Sequence, residues 1–483
     1  MKKNRKASAA AALVLLLSLC ACSGGQGAVS SEAPAAASSQ ESVPASSEAA
    51  EPASGAPAPE DISGDISWLM RSNPFENEWE QQTVIPKFQE TYKNVKVNMI
   101  IVPQDQVDPK LLSMQAAGTP PDVFSMWGDS GFMDYYNKDL LLELSSYIDR
   151  DINKEEFIDG IFDIYAVDGH YFHVPQVSNF SQMIVYNKTL FGEAGLPDLP
   201  TKWNDPEWTW EKMVDYARQL TKNTGAGADA QYGLLLPTSD PHLMLYQFGL
   251  DPFPEEAYRA GVMDKTNFDD PAIVETLQKW ADLIYVEKIH PTPADQKALE
   301  QMGPLFKTGK VAMTTSLPTQ AYGNFKDCPF EWGLAPMPAG APGKARGILY
   351  NGAYFISKGS KSPEAAWALI KYMLTPEAAK DMCELTGFLV PLRAQMDGWF
   401  AQMSEATGMS AGQVEEAVTG YPKQESGENI NHIFCGYNEL RNTYVQGLDP
   451  LWLGSATAQE AISGFIGDLN STAARIKADT AAQ

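Results

Sequence analysis

A chain of 483 residues with 36 Lys+Arg against 61 Asp+Glu carries a formal net charge of −25. That balance excludes nucleic acid, whose binding rests on basic groups neutralising phosphates, and broad adhesion to anionic lipid headgroups. A hydrophobic share of 44% and a charged share of 20% are ordinary for a globular protein, and the length allows two or three domains. Five cysteines, two of them in the first 22 residues, are too few for a disulfide framework.

Residues 1–21 read as a secretory signal. Lys2, Lys3, Arg5 and Lys6 form a basic head, and Ala9–Leu19 is apolar but shorter than the ~20 residues a spanning helix needs. The segment ends Leu19-Cys20-Ala21-Cys22, which resembles the bacterial lipobox, with Leu three residues before Cys22 and a small residue just before it. The resemblance implies cleavage ahead of Cys22 and an acyl (palmitate-type) anchor on it; the alternative is a plain secretory signal with incidental cysteines. Cleavage removes four cations and no acid, taking the charge from −25 to −29, so the tethered body should stand off an anionic membrane. Residues 22–61 are mostly Ser, Ala, Pro, Glu and Gly, too poor in apolar side chains to offset ordering entropy, and read as a disordered stalk.

From Ile62 the pattern changes. Ile66–Met70 and Val95–Val102 read as strands, with Val84, Ile85, Phe88 and Tyr92 at helical spacing between them. A helix at Leu111–Ala117 is broken by Gly118-Thr-Pro-Pro121, and Asp122–Trp127 reads as a third strand. This β-α-β-α-β order predicts a mostly parallel sheet covered by helices. Asp168-Gly169 marks a hairpin. Trp210, Met213, Val214, Ala217 and Leu220 share a helix face, and Ile273–Val286 follows Asp269-Asp270-Pro271 as a second amphipathic helix. Ser362-Pro363-Glu364 and Thr375-Pro376-Glu377 are helix starts, each a hydroxyl cap, a proline and an acid. No internal repeat is evident, and about 420 ordered residues divide naturally into two α/β lobes.

Catalytic motifs are missing: no Gly-x-Ser-x-Gly elbow, phosphate loop or His-Glu-x-x-His occurs, and Gly225-Ala-Gly227 lacks the rest of a dinucleotide fingerprint. His170 and His173, three apart in a strand, point to opposite faces and make no metal pair. Sixty-one acids allow carboxylate pairs at glycosidase separations without nominating one. Cys328, Cys383 and Cys435 fit either one disulfide and a free thiol or three buried thiols. The aromatics are more informative. Phe75 lies just after the first strand beside Asn73, and Trp127 precedes Gly128-Asp129 at the end of the third. Ligands of open α/β sheets bind beyond the carboxyl ends of strands, where an aromatic face can stack on a sugar ring and Asp or Asn can bond its hydroxyls.

Several segments in order complete a pattern. Pro86-Lys-Phe88 precedes Val95-Lys-Val97, and Ala116-Ala-Gly-Thr-Pro-Pro-Asp-Val-Phe124 leads into the third strand. Asp168-Gly169-His-Tyr171 with Val174-Pro175 is followed by Ile184-Val-Tyr-Asn-Lys188 and Phe191-Gly-Glu193. Phe306-Lys-Thr-Gly-Lys-Val-Ala-Met313, Leu334-Ala-Pro-Met-Pro338, Gly347–Ile356 and Ala365–Tyr372 come after. Over residues 62–483 this order resembles the extracellular solute-binding lipoproteins of bacterial ABC importers, in the carbohydrate-binding group related to maltose-binding protein. Gln176 and Met183 depart from it, standing where smaller residues are usual.

The resemblance implies a two-lobed periplasmic-binding-protein-like fold with hinge crossovers near 178–183, 345–350 and 388–394 and an interlobe ligand cleft. The first lobe would comprise 62–178 plus 350–390 and the second 183–345 plus 394–483. The cleft would be lined by Asn73, Phe75, Trp127, Asp129, Asn179, Phe180, Ser181, Tyr350, Asn351 and Arg393, with an ion pair as the alternative for Arg393 and a packed hinge for Phe180. Trp399 and Tyr437 are weaker candidates, since the 395–436 region departs most from the pattern. The resemblance further implies a sugar or oligosaccharide as solute and the transmembrane subunits of an ABC permease as partner. The protein would sit lipid-anchored on the extracytoplasmic face of the cell membrane, with no cofactor, metal or catalysis. A surface-anchored polysaccharide hydrolase is the rival reading; it requires two carboxylates about 5–9.5 Å apart across one cleft.

Overall fold

Strand β1 (Gly64–Arg71) buries Ile66, Trp68 and Met70 on one face and Leu69 on the other, as a central strand must. The computed structural model describes residues 55–483 except 126–130, 180, 226, 240, 341–344, 346, 348–349, 422–432 and 483. The signal segment, Cys22, most of the stalk, Trp127, Asp129 and Phe180 therefore lie outside the described residues.

β1 pairs in parallel with β2 (Val95–Val102) over its whole length, Gly64 opposite Val95 and Arg71 opposite Val102, and on its other side with β3 (Val123–Ser125). A hairpin follows, β4 (Ala166–Val167) with β5 (His170–Tyr171), turned by Asp168 and Gly169 at φ of 51° and 82°. Both values are the left-handed ones that an Asp-Gly turn of this kind demands. β6 (Val174–Asn179) leads to β7 (Met183–Asn187), β8 (Tyr232–Leu235), β9 (Val311–Ser316), β10 (Trp332–Pro336) and β11 (Tyr350–Ile356). Two larger sheets result, ordered β2-β1-β3-β11-β6 and β10-β7-β9-β8. The first is mixed: β11 runs antiparallel to both β3 and β6.

The helix after β1 is in three pieces: Pro74–Trp79, a π-helical turn Glu80–Val84, and Ile85–Thr91. Pro86 has no N–H to give and its ring would crowd the carbonyl four residues back, so an ordinary helix cannot run through it. The Ile85 N–H reaches back five residues to the Glu80 carbonyl instead. The helix Trp210–Leu220 buries all five apolar residues read as one face, and Pro271–Tyr285 is capped by Asp270, whose carboxylate accepts from the Ala272 N–H at 2.8 Å. Thr375 caps Pro376–Thr386 as expected. Ser362 precedes Pro363–Met373 without a side-chain cap; its own N–H donates to Ser360 Oγ, so the turn is held one step earlier. Two expected bounds shift. The helix read at 111–117 runs from Val107 to Ala116, and the third strand is seen at 123–125, with 126–127 lying outside the described residues.

Cys328, Cys383 and Cys435 are all free thiols. Burial pushes each up to about 11, which keeps them protonated and inert. His170 is exposed, whereas His173 is fully buried beside Tyr165, and burial holds its ring down to about 3 and neutral. Among the described residues no helix is long and apolar enough to cross a membrane.

Candidate functional site

Strand directions place the site. β6 runs antiparallel to β11, which runs antiparallel to β3, so β1, β3 and β6 all end on the edge where β11 begins. In the second sheet β8 is parallel to β9, and β7 is antiparallel to β9 and β10, so β8, β9 and β10 end on the edge where β7 begins. The chain passes from the end of β6 at Asn179 to the start of β7 at Met183 in four residue steps, a reach of at most about 15 Å. It returns from the end of β10 to the start of β11. The carboxyl edges of the two sheets are therefore brought together at the crossovers, where open α/β sheets take ligands.

On the first sheet, Asn73 follows β1 and caps the helix Pro74–Trp79. Its Oδ1 accepts the Glu76 N–H at 3.4 Å and its own N–H donates to Asn77 Oδ1 at 2.9 Å, leaving the Nδ2 amide outside the cap. Phe75 is the second residue of that helix. Asn179 and Tyr350 are register partners in the β6–β11 ladder, with Ser178 opposite Asn351 on the next rung. Candidates from two separate crossovers thus become neighbours. Ser181 is buried between the strands, next to Gln182, whose buried Oε1 has no hydrogen-bond partner among the described residues. The third connection runs alongside: the Ser178 N–H donates to the Leu389 carbonyl at 2.8 Å. Arg393 begins the helix Arg393–Thr407 and pairs with Asp159 at 2.7 Å, both half-exposed or more.

Two weaker candidates belong to the core. Trp399 is fully buried with its indole N–H donating to the Gly387 carbonyl at 2.9 Å, and Tyr437 is buried with its hydroxyl 2.9 Å from that of Tyr444. Sequence reading had missed Arg71, Glu76 and Glu80 beneath Asn73. The signal was available: acids four apart in a helix that otherwise faces the sheet, following an arginine at a strand end.

A groove of about 780 Å³ lies away from the crossovers, lined by Phe132, Met133, Asp163 and the β4 residues Ala166 and Val167 on one wall and by Glu255, Arg259 and Ile433 on the other; the strand ends at the crossovers do not line it. Beside it the helix Phe132–Asn137 is stitched to the segment leading into the helix Tyr437–Trp452. The Met133 N–H donates to the Ile433 carbonyl (3.3 Å) and the Gly436 N–H to Asp134 Oδ2 (2.8 Å).

Two sheets joined by crossovers at their carboxyl edges define the two-lobed, periplasmic-binding-protein-like class. Solved structures agree in fold. An ABC substrate-binding protein of Listeria monocytogenes in complex with cycloalternan superposes with a TM-score of 0.68 at 22% identity, covering 85% of this chain and 99% of its own. Maltose-bound MalE3 of T. maritima gives 0.64 at 20% identity, with 84% and 99% covered. In sequence, the arabinooligosaccharide-binding protein of Halalkalibacterium halodurans is 28% identical over 45% of this chain and 45% of its own. Residues 75–380 match the family described as bacterial extracellular solute-binding protein, and the chain belongs to that family. It is an extracytoplasmic solute-binding protein.

Proposed function

We propose that this protein captures a sugar or oligosaccharide between its lobes and delivers it to the transmembrane subunits of an ABC permease, tethered to the membrane through an acyl group on Cys22. The observation that carries the reading is the meeting of the strands' carboxyl edges at the crossovers, with Asn179 and Tyr350 as register partners there. The sugar class rests on the oligosaccharide-binding relatives and on the residue types at those ends. Asn73, Asp129, Asn179, Ser181 and Asn351 offer hydrogen bonds to hydroxyls, while Phe75, Trp127, Phe180 and Tyr350 offer flat apolar faces. Arg393 is the candidate with an established competing partner, Asp159. The lobes are taken as 62–178 plus 350–390 and 183–345 plus 394–483, in keeping with the strands of each sheet.

Work is done by differential affinity. Solute that contacts both edges favours the closed arrangement of the lobes, and the permease reads that arrangement. A thermal-shift screen of the full chain against mono- and oligosaccharides tests this: ligand at 100 times its Kd stabilises by about 2.7 kcal/mol. A shift with the sugar recovered unchanged supports capture; sugar consumed during incubation would transfer the reading to a hydrolase. The anchor is tested separately, by metabolic labelling with an alkyne fatty acid in wild type and Cys22→Ser.

A further inference from the structure

Beneath the Asn73 cap lies a polar cluster sealed from solvent. Glu76 and Glu80 stand four apart on the helix after β1, and neither exposes any surface. Glu76 is held on two sides: Arg71, the last residue of β1, reaches its Oε2 at 3.3 Å, and Gln176 of β6 donates to its Oε1 at 2.7 Å. Glu80 Oε2 accepts from Asn77 at 3.1 Å. Three buried atoms of the cluster have no hydrogen-bond partner among the described residues: Glu80 Oε1, Gln176 Oε1 and the Tyr354 hydroxyl. Gln176 is one of the two departures from the family pattern, and here its amide ties β6 to the helix.

Two carboxylates and one guanidinium leave an uncompensated charge if both acids ionise, and a buried charge without a partner neutralises rather than persists. A proton on Glu80 Oε1 also completes the hydrogen bonding. It converts an acceptor lacking a donor into a donor, in a cluster where Gln176 Oε1 and the Tyr354 oxygen are both able to accept.

We propose that Glu76 and Glu80 act as a one-proton pair, Glu76 ionised against Arg71 and Glu80 carrying the proton, that pins this helix to the two strands entering the crossovers, so that losing the proton loosens β6 and β11. This regulation rests on the crossover reading above. The groups facing the pair are Arg71 from β1, Asn77 from the helix itself, Gln176 from β6 and Tyr354 from β11. The helix Pro376–Thr386, packed on the other side, turns its Glu377 and Asp381 to Lys87 and its Lys380 to Glu384. Burial first, and then the Glu76 carboxylate, push Glu80 well above the ordinary carboxylate range, against the lowering effect of Asn77 and Arg71. A raised native pKa means that the pair's stabilisation is complete at low pH and is lost as pH climbs through that value.

The test needs no sugar, so its outcome is independent of the solute class. Amide hydrogen exchange of 174–179 and 350–356 is followed in the full chain from pH 5 to 9, corrected for intrinsic base catalysis. In wild type we expect protection to fall by up to about tenfold for each pH unit between the ordinary carboxylate value, about 4.3, and the raised Glu80 value, and to level off above it. E80Q, which mimics the protonated acid, should remove that pH dependence; E76Q, which unpairs Arg71, should lower protection throughout. Parallel profiles for wild type and E80Q overturn the proposal. Should E80Q fail to fold, a corrected wild-type profile flat across the range overturns it equally.

Discussion

Asn179 and Tyr350 are partners on the last rung of the β6–β11 ladder, although 171 positions separate them in the chain. One is the last residue of its strand before the passage to the second sheet; the other is the first residue after the return. The backbone at both positions is held by the ladder rather than by a free loop, so the ligand contacts proposed there would start from a fixed backbone.

Substituting this pair should therefore separate binding from folding. N179A and Y350A are each expected to weaken binding of a sugar selected by the thermal-shift screen by 10-fold or more, about 1–3 kcal/mol, the cost of a lost buried hydrogen bond or stacked ring. Calorimetric titration gives the affinities, and the unliganded melting temperatures should stay within a few degrees of wild type. Affinities equal to wild type for both variants remove the rung from the site.

Arg393 sets up a sharper contrast. Its ion pair with Asp159 is largely exposed, and exposed pairs contribute roughly 0–1 kcal/mol. R393A should accordingly change stability little. If affinity falls at least 10-fold in R393A but not in D159A, Arg393 belongs to the cleft and the Asp159 contact is its resting partner. Equal affinities for R393A and wild type confine it to the surface pair.

Gly131 has an ordinary φ, yet a Cβ built on it would lie 2.1 Å from the Phe434 carbonyl oxygen. Backbone cannot give way as a flexible side chain does, so G131A should push the helix Phe132–Asn137 off the 433–436 segment. We expect a loss of about 1–3 kcal/mol in urea unfolding, the usual cost of overpacking. A neutral G131A would mean that the two segments already separate freely in solution.

Asp151 predicts an acid limb. Burial alone would raise its carboxyl, but hydrogen bonds from the Trp367 indole (2.6 Å) and Arg150 (2.9 Å), with the charge of Lys371, hold it below the ordinary range. A depressed native pKa gives stability that is present above the unfolded value, about 3.9, and is lost as pH falls through the native one. D151N should start less stable at pH 7 and lose less on going to pH 3. Wild type and D151N losing equal stability between those pH values would contradict this.

The free thiols give a simple check. Dithiothreitol should leave the melting temperature unchanged, and iodoacetamide should label Cys383 and Cys435 only after denaturation, because both are buried.

What was legible in the sequence follows the range of the interactions. Helix faces such as Trp210–Leu220 and turns such as Asp168-Gly169 are specified within a few residues, and both formed where their spacing placed them. The π-turn was hidden although Pro86 was in plain view, since a proline can end a helix or divert it and the choice depends on what the next turn packs against. Trp399, a weaker candidate from the resemblance, belongs to the core: an aromatic on a cleft wall and one in the core look alike until the partner of the indole N–H is known. The pairing of Glu76 with Gln176 spans 100 positions, and no local pattern encodes it.

β6 is flanked on both sides near the crossovers, laddered to β11 on one flank and bonded through Ser178 to Leu389 on the other. A single connecting strand would let one half twist, slide or swing relative to its mate. Two paired strands with a third segment bonded alongside resist shear along their length and torsion about it, and bend readily only about one line. On the two-lobed reading proposed above, the lobes would keep a single soft mechanical degree of freedom, like a strap hinge. The free energy a bound solute contributes would then go into one swing rather than being spread over many shapes.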